Sequence, residues 1–460
     1  MKLSHLLSSS IAIAVMATAS SANAFCGFYV AKAGTDLFNQ SSKVALVRDD
    51  DRTVITMAND YQGDLTEFAM VIPVPTTIKR EQVHISDPAL LKHLDAYTAP
   101  RLVEYFDNDP CRVQFEEDVL VSSGRRLQVA PAPVAQARAK SLGVTIEDEF
   151  TVGEYDIQIL SAKQSDGLMT YLDENGYQVP DGADRILGSY IKQDMKFFVA
   201  KVNLDKQSKT GNEFLRPIAV AYESPKFMLP IRLGTLNARG DQDLFVYALT
   251  RDGQVETTNY RTQKIPTDKE IPVYIKDNFP DFYKSMYQTA AKREGGHGVF
   301  MEYAWDMNWC DPCAADPLSP EQLQELGVFW QTSNENGRRR GGKSLARDVF
   351  VTRLHVRYDA KSFPEDLKFK TTGNRNNFQG RYILRHAYEG EMVCEAAKAY
   401  KQTVNKRKEE EVKTLANLTG WDRKEIWDDI EKAGIGVKYD IKDDDNGGPT
   451  WWKNIWPDKE

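Results

Sequence analysis

Two clusters in this chain have residue types at spacings that could do chemistry. The first is Gly337-Arg338-Arg339-Arg340-Gly341-Gly342-Lys343-Ser344, which fits G-x-x-x-x-G-K-[ST], the pattern of a phosphate-binding loop. That chemistry needs a buried strand directly before the loop and a helix directly after it, so that helix N–H groups and the helix dipole face the phosphates. Here the residues before it, 331–336, are polar, and Asp348 to Val356 after it alternate like a strand. Gly337, Gly342, Lys343 and Ser344 are therefore read as a chance match in a flexible basic loop. No nucleotide and no other cofactor is expected.

The second cluster is Cys310-Asp311-Pro312-Cys313. A C-x-P-C pair resembles redox-active dithiols, in which an exposed thiolate sits at a helix N-terminus that lowers its pKa. The next helix signal comes only at Ser319-Pro320-Glu321, with its own cap, so these thiols lie off its first turn. A structural role is the expectation, with redox exchange and a metal site as alternatives. No histidine lies nearby at finger-like spacing, so no metal site is expected.

The chain has five cysteines, Cys26, Cys111, Cys310, Cys313 and Cys394, all disulfide candidates. An odd number leaves at least one outside an intramolecular bridge, and sequence does not choose the connectivity. A second Asp-Pro-Cys at 109–111 suggests one arrangement: Cys111 with Cys26, and Cys310 or Cys313 with Cys394.

Other candidates are weaker. His84, His93, His297, His355 and His386 form no close pair, and each reads as an isolated surface or core residue. No G-x-S-x-G elbow is present. Asp443-Asp444-Asp445-Asn446-Gly447 misses the ligand spacing of a calcium loop and reads as a solvated acidic loop. Carboxylates are abundant, but no pair declares itself.

The elements that must position these residues are mostly strands. Residues 43–48 and 53–57 flank Asp49-Asp50-Asp51 as a hairpin. Glu67–Ile72 reads as a strand ended by Pro73-Val74-Pro75. Ser86-Asp87-Pro88 opens a helix carrying Leu90, Leu91, Leu94 and Tyr97. Further strands are expected at 155–160, 195–204, 217–222, 227–233, 243–249, 299–305 and 349–358. Arg251-Asp252-Gly253 reads as a second hairpin turn. Helices are expected at 168–172, 183–191, 279–294, 394–418 and 422–432. The fold class is α+β: β-rich with antiparallel hairpins, several short helices and a helical C-terminal extension.

The N-terminus carries an address. Lys2, an apolar core around Ile11 to Ala17 and Ala22-Asn23-Ala24 read as a secretory signal peptide cleaved near Ala24/Phe25. The expected divisions are 1–24 signal peptide, 25–121 N-terminal β-rich part, 122–143 linker or long loop, 144–395 central α+β part, and 396–460 helical extension with a Trp-rich tail. The expected location is the periplasm or the medium, where cysteines oxidise. Net charge is −8, which argues against a nucleic-acid partner. No stretch approaches 18 consecutive apolar residues, so no transmembrane segment is expected. Trp451, Trp452 and Trp456 suit an interface. Docking on the protein's own body is the first expectation, and association with a partner or surface the alternative.

Six blocks occur in order: Cys26-Gly27; residues 68–75, FAMVIPVP; residues 172–177, LDENGY; Tyr190-Ile191 before 197–202, FFVAKV; residues 229–234, LPIRLG; and Thr352-Arg353-Leu354. On these blocks the chain resembles a bacterial secreted family catalogued as domain of unknown function 2330, over about residues 25 to 395. The resemblance implies export and an extracytoplasmic role, and it supplies no catalytic residue. The function expected is that of a non-enzymatic, disulfide-stabilised binding or envelope-associated protein that engages an extracytoplasmic protein or polymer. The alternatives are an extracytoplasmic hydrolase with dispersed carboxylates, or a thiol–disulfide oxidoreductase using the C-x-P-C pair. A deep pocket holding two or more polar groups with perturbed pKa would favour an enzyme.

Overall fold

A computed structural model describes residues 28–31, 38–62, 68–112, 143–203, 205–206, 215–237, 240–309, 311, 316–331, 348–434 and 439. The elements run β1 (Phe28–Ala31), β2 (Phe38–Asp49), β3 (Arg52–Gln62), β4 (Phe68–Val74), β5 (Val83–Ile85), α1 (Pro88–Thr98), β6 (Arg101–Phe106), β7 (Val144–Val152), β8 (Tyr155–Ala162), α2 (Ser165–Glu174), α3 (Ala183–Ile191) and β9 (Lys196–Val202). They continue with β10 (Ile218–Glu223), β11 (Met228–Leu229), β12 (Gln242–Thr250), β13 (Val255–Thr257), β14 (Arg261–Lys264), β15 (Lys269–Glu270), α4 (Phe279–Arg293), β16 (Gly298–Asp306), α5 (Pro320–Glu325), β17 (Phe350–Tyr358), β18 (Leu367–Thr371), β19 (Phe378–Gln379), β20 (Arg381–His386), α6 (Ala396–Thr419) and α7 (Arg423–Lys432). The class is α+β, with mixed and antiparallel sheets and helices at the C-terminal end.

Two sheets form the body. The smaller has the order β1-β4-β9-β8-β7, and the larger β14-β16-β17-β12-β2-β3-β10-β5, with β19 added beside β16. Strands from before and after residues 122–143 share both sheets. β2 lies parallel to β12, with Val44 opposite Val246, and antiparallel to β3. Alternation along the strands builds the layers. Val44, Leu46, Ile55 and Met57 of the larger sheet share one core with Phe68, Met70, Ile72, Ile157, Ile159 and Phe198 of the smaller. The outer face of the smaller sheet (Ala69, Val71, Phe197, Val199) packs on α2 and α3 through Leu168, Leu172, Leu187 and Tyr190. The outer face of the larger sheet (Ala45, Val47, Tyr247, Leu249, Val351) packs on α1 and α5 through Leu90, Leu91, Leu94 and Leu323. β4 is buried along its whole length, which explains its unbroken apolar run.

Local signals account for several element ends. Asp87 caps α1 by accepting from Ala89 N at 2.8 Å, with Pro88 next to it. The β2–β3 hairpin turns through Asp50, whose φ is +49°, a conformation that Asp tolerates better than most residues. α4 ends before Gly295 and Gly296, both at positive φ.

Three expectations need correction. β4 runs through Pro73 to Val74, because beyond the β1 pairing at Phe28–Val71 β9 is the only strand beside it among the described residues, and an edge position tolerates a missing N–H. Only Met228 and Leu229 of 227–233 form a strand. They pair with β18, and a 3₁₀ turn follows at Leu233–Asn237. Arg251-Asp252-Gly253 does not close a hairpin: β12 pairs with β17 and β2, whereas β13 leaves to pair with β18. Glycine is required there because a Cβ on Gly253 would collide with the backbone carbonyl of Asn374.

Candidate functional site

A network of charges is buried where β12, β16 and β17 meet α1 and α4. Alternation on β17 puts Arg353 and His355 on one face, and the register places Tyr247 opposite Arg353 and Phe245 opposite His355. The pairing of β16 with β17 shifts between Met301 and Tyr303, so Glu302 is the extra residue of a β-bulge. A bulge re-aims a side chain. Glu302, fully buried, meets Arg353 Nε at 2.5 Å through Oε2 and His355 Nδ1 at 2.7 Å through Oε1, and it also accepts from the Tyr283 hydroxyl of α4. The His355 ring lies between Tyr287 and Phe245, with centroids at 3.6 and 4.2 Å. Its Nε2 faces Asp243 at 3.3 Å, and Asp243 also takes Arg357 Nη2 at 2.7 Å. On the other side Arg353 Nη1 donates to Asp95 Oδ1 at 2.6 Å. Asp95 in turn accepts from Tyr247 at 2.7 Å and from Lys43 at 2.6 Å.

The electrostatics follow from this wiring. Burial pushes the carboxyl of Glu302 up, but His355 and Arg353 outweigh it and hold the group below its ordinary value. Burial also works against charge on Asp95, yet Arg353 and Lys43 bring its pKa down to about 2. Burial favours neutral His355, but Glu302 and Asp243 overcome it and raise its pKa. Both oxygens of Glu302 and both nitrogens of His355 are engaged. Such a set clamps two helices to four strands, Lys43 bringing in β2, and its polar atoms are turned on one another.

A second polar cluster lines a cavity of about 400 Å³. Its walls are the turn after β15 (Pro272, Val273, Tyr274), the end of β20 (Arg385, His386), α6 (Arg407, Lys408, Glu411) and α7 (Ile430), with Glu389, Met392 and Tyr439. α6 turns Val404, Glu411, Val412 and Leu415 inward at helical spacing, which carries the neighbouring charges to the wall. Partners hold these charges from behind: Arg385 meets Glu270 at 2.7 Å, His386 meets Glu104 at 2.9 Å, and Arg407 Nη1 meets Asp107 at 2.8 Å. Three buried atoms lack a hydrogen bond: the Tyr274 hydroxyl, Arg407 Nε and Glu411 Oε1. The last two face each other at 3.6 Å, beyond hydrogen-bond length. Burial lifts the pKa of Glu411 to about 7 and that of Tyr274 to about 12, and it lowers that of Lys408.

α6 is tied down beside this cavity. Cys111, just beyond β6, is bonded to Cys394, just before α6. Tyr400 donates to Asp107 at 2.7 Å, so Asp107 receives two side chains of α6.

Of the five cysteines, the structure brings together Cys111 and Cys394. This corrects the arrangement that joined Cys111 to Cys26. The two partners are 283 residues apart, and no spacing rule reaches that far. Cys26, Cys310 and Cys313 lie outside the described residues. Asp311 between the last two is described: it is buried and accepts from Tyr303 at 3.0 Å and Gln379 at 2.8 Å. Gly337, Gly342, Lys343 and Ser344 also lie outside the described residues, as do Asp443 to Gly447 and Trp451, Trp452 and Trp456. Among the described residues, α5 is the last regular element before the Gly337–Ser344 stretch and β17 the first after it. Among the described residues, no group of three or more His, Cys, Asp or Glu is placed to hold a metal, and no helix is long and apolar enough to cross a membrane.

Two histidines are more engaged than the sequence suggested. His355 is a core residue wired to two carboxylates, not an isolated one, and His386 stacks on Phe106 at 4.4 Å and lines the cavity. Arg353, Glu302 and Glu411 were missed. A charged Arg353-x-His355 alternation inside an otherwise apolar strand was the available signal for the first network, whereas Glu411 sits in a charged helical run with no mark of its own.

No curated protein and no solved structure matches the chain. A family model described as an uncharacterized protein conserved in bacteria (DUF2330) matches residues 20–370. The match ends short of residue 395, so β19, β20, α6 and α7 lie beyond it. It covers both sheets apart from β19 and the whole Glu302–Arg353–His355 network, and the chain belongs to this bacterial family.

Proposed function

We propose that the protein is exported and acts as a binding protein, with the cavity beneath α6 and α7 as its ligand site. The observation that carries the reading is the set of Tyr274, Arg407 and Glu411 on that wall. Each has a buried polar atom left without a hydrogen bond, a costly state that a ligand's polar group can relieve. Arg385, His386 and Arg407 are held by Glu270, Glu104 and Asp107, so the wall is pre-organised, as ligand sites usually are. The signal-like N-terminus and a bridge of the kind found in oxidising compartments support export.

The test is a thermal-shift screen of the full mature chain against small carboxylic acids, sugars and amines, repeated on Val273→Phe, which fills the cavity. The reading predicts a class of compounds that raises Tm by several degrees in the wild type and by none in the variant. A screen with no shift, or a shift that Val273→Phe leaves intact, overturns it.

A second reading has one observation behind it. The cavity holds several polar groups with shifted pKa, and a carboxyl titrating near 7 is poised for general acid–base work. It ranks second because glycoside hydrolysis pairs two carboxylates in opposite roles, and Glu389, the other carboxylate of the lining, is not among the charges that act on Glu411. Turnover of nitrophenyl esters or glycosides that Glu411→Gln abolishes would promote it.

A further inference from the structure

We infer that the cavity takes a neutral sugar, two neighbouring hydroxyls of which meet Arg407 and Glu411 while a third meets Tyr274. The inference rests on the binding reading above and names its ligand class.

Charge is matched within the lining before a ligand arrives. Glu270 holds Arg385, Glu104 holds His386 and Asp107 holds Arg407. The Lys408 ammonium lies 5.7 Å from the centre of the Tyr439 ring and in the field of Glu411. Glu389, the remaining charged residue of the lining, is exposed, so water meets its charge. An anion would have to displace one of these carboxylates or lie against Glu389. A cation would lie against Arg385, Arg407 and Lys408. Either would give up its own hydration for groups that already have counterparts. What the wall lacks is hydrogen bonds. Arg407 Nε–H only donates, Glu411 Oε1 is a carboxyl oxygen and the Tyr274 hydroxyl both gives and takes, and all three are buried without a hydrogen bond. Nε and Oε1 stand 3.6 Å apart, a gap that two hydroxyls on adjacent carbons span, one accepting from the arginine and the other donating to the carboxyl oxygen. Small side-chain rotations bring these buried atoms to the ligand. A hydroxyl also serves Glu411 whether that group is ionised or protonated. Val273, Met392 and Ile430 give the C–H face of a sugar ring its apolar wall, and about 400 Å³ admits such a ring with its substituents.

The test is calorimetric titration of the full mature chain at pH 6.5 with probes matched in shape and different in charge: glucose, galactose and mannose, the uronic acid of each and the amino sugar of each. At least one neutral sugar should bind at least tenfold more tightly than its acidic and basic counterparts. Tyr274→Phe, which removes a single oxygen, should weaken that sugar about fivefold, the worth of one hydrogen bond. Arg407→Lys, which keeps a cation for Asp107 but loses Nε–H, should weaken it at least tenfold. Tighter binding of a uronic acid or an amino sugar overturns the neutral class while leaving the binding reading standing. Binding of a neutral sugar that Tyr274→Phe leaves unchanged places the sugar elsewhere and overturns the inference. Should Arg407→Lys fold poorly, Tyr274→Phe and the ranking of the probes decide by themselves. A panel from which nothing binds also overturns the inference, and the thermal-shift screen then separates a cavity that takes another compound from one that takes none.

Discussion

Glu302 on β16 accepts Arg353 Nε on β17 at 2.5 Å, although the residue directly opposite Arg353 is Tyr303. An unbroken register would have set Glu302 itself opposite Arg353; the bulge gives that place to Tyr303, and Glu302 still reaches both Arg353 and His355.

Breaking that pair should be expensive. Glu302→Gln keeps the size of the side chain but leaves Arg353 and His355 facing a neutral group in the core. We expect a loss of about 3–5 kcal/mol, the usual cost of leaving a buried charge uncompensated. Urea denaturation of the two proteins measures it. A loss below about 1 kcal/mol would mean that the network is not a clamp.

Acid should act through Asp95. Its folded pKa, about 2, is below the ordinary carboxylate value, so its stabilising contribution is complete above about pH 4 and is lost as pH falls toward 2. Asp95→Asn should therefore cost about 2 kcal/mol at pH 6 and little at pH 2. Unfolding curves of both proteins at the two pH values check this.

Glu411 has the opposite sign. A folded pKa near 7, above the unfolded value, means that the folded state resists ionising it. Stability from this group is complete below about pH 4.5 and declines as pH rises to 7. Glu411→Gln should raise Tm at pH 8, make little difference at pH 4.5, and flatten the slope between them. A variant less stable than the wild type at pH 8 would assign Glu411 an ionised, paired role instead.

The bridge should act on the C-terminal helices. Cys111→Ser with Cys394→Ser should cost about 2–4 kcal/mol. Protection against hydrogen exchange should fall first in α6, whose other ties to the segment after β6 are Tyr400 and Arg407 on Asp107. Exchange read by mass spectrometry gives the order of loss, and protection falling first in the two sheets would contradict it.

Much of this fold was legible because local rules sufficed. Asp87-Pro88 starts α1, Gly295-Gly296 ends α4, and the β-branched runs on either side of Asp49–Asp51 fold back on each other. What failed was set at long range. Residues 227–233 are apolar enough for a strand, but only Met228 and Leu229 find an edge, on β18. The turn at Gly253 has hairpin residues, but β13 is claimed by another sheet. The sites failed for the same reason. Glu302 needs two partners on another strand, Cys111 a partner 283 residues away, and Glu411 a helix packed against α4; none of these is written in neighbouring residues.

The placement of β2 beside β12 bears on the timing of folding. Val44 waits for Val246, and β12 is joined in turn to β17, so the main sheet cannot assemble its middle until most of the chain is present. Contacts this distant make for slow folding. A long-lived unfolded state is a hazard for most proteins. Under the export proposed above, the same interval keeps the chain fit to thread through a membrane, and the strand order of this sheet lengthens it.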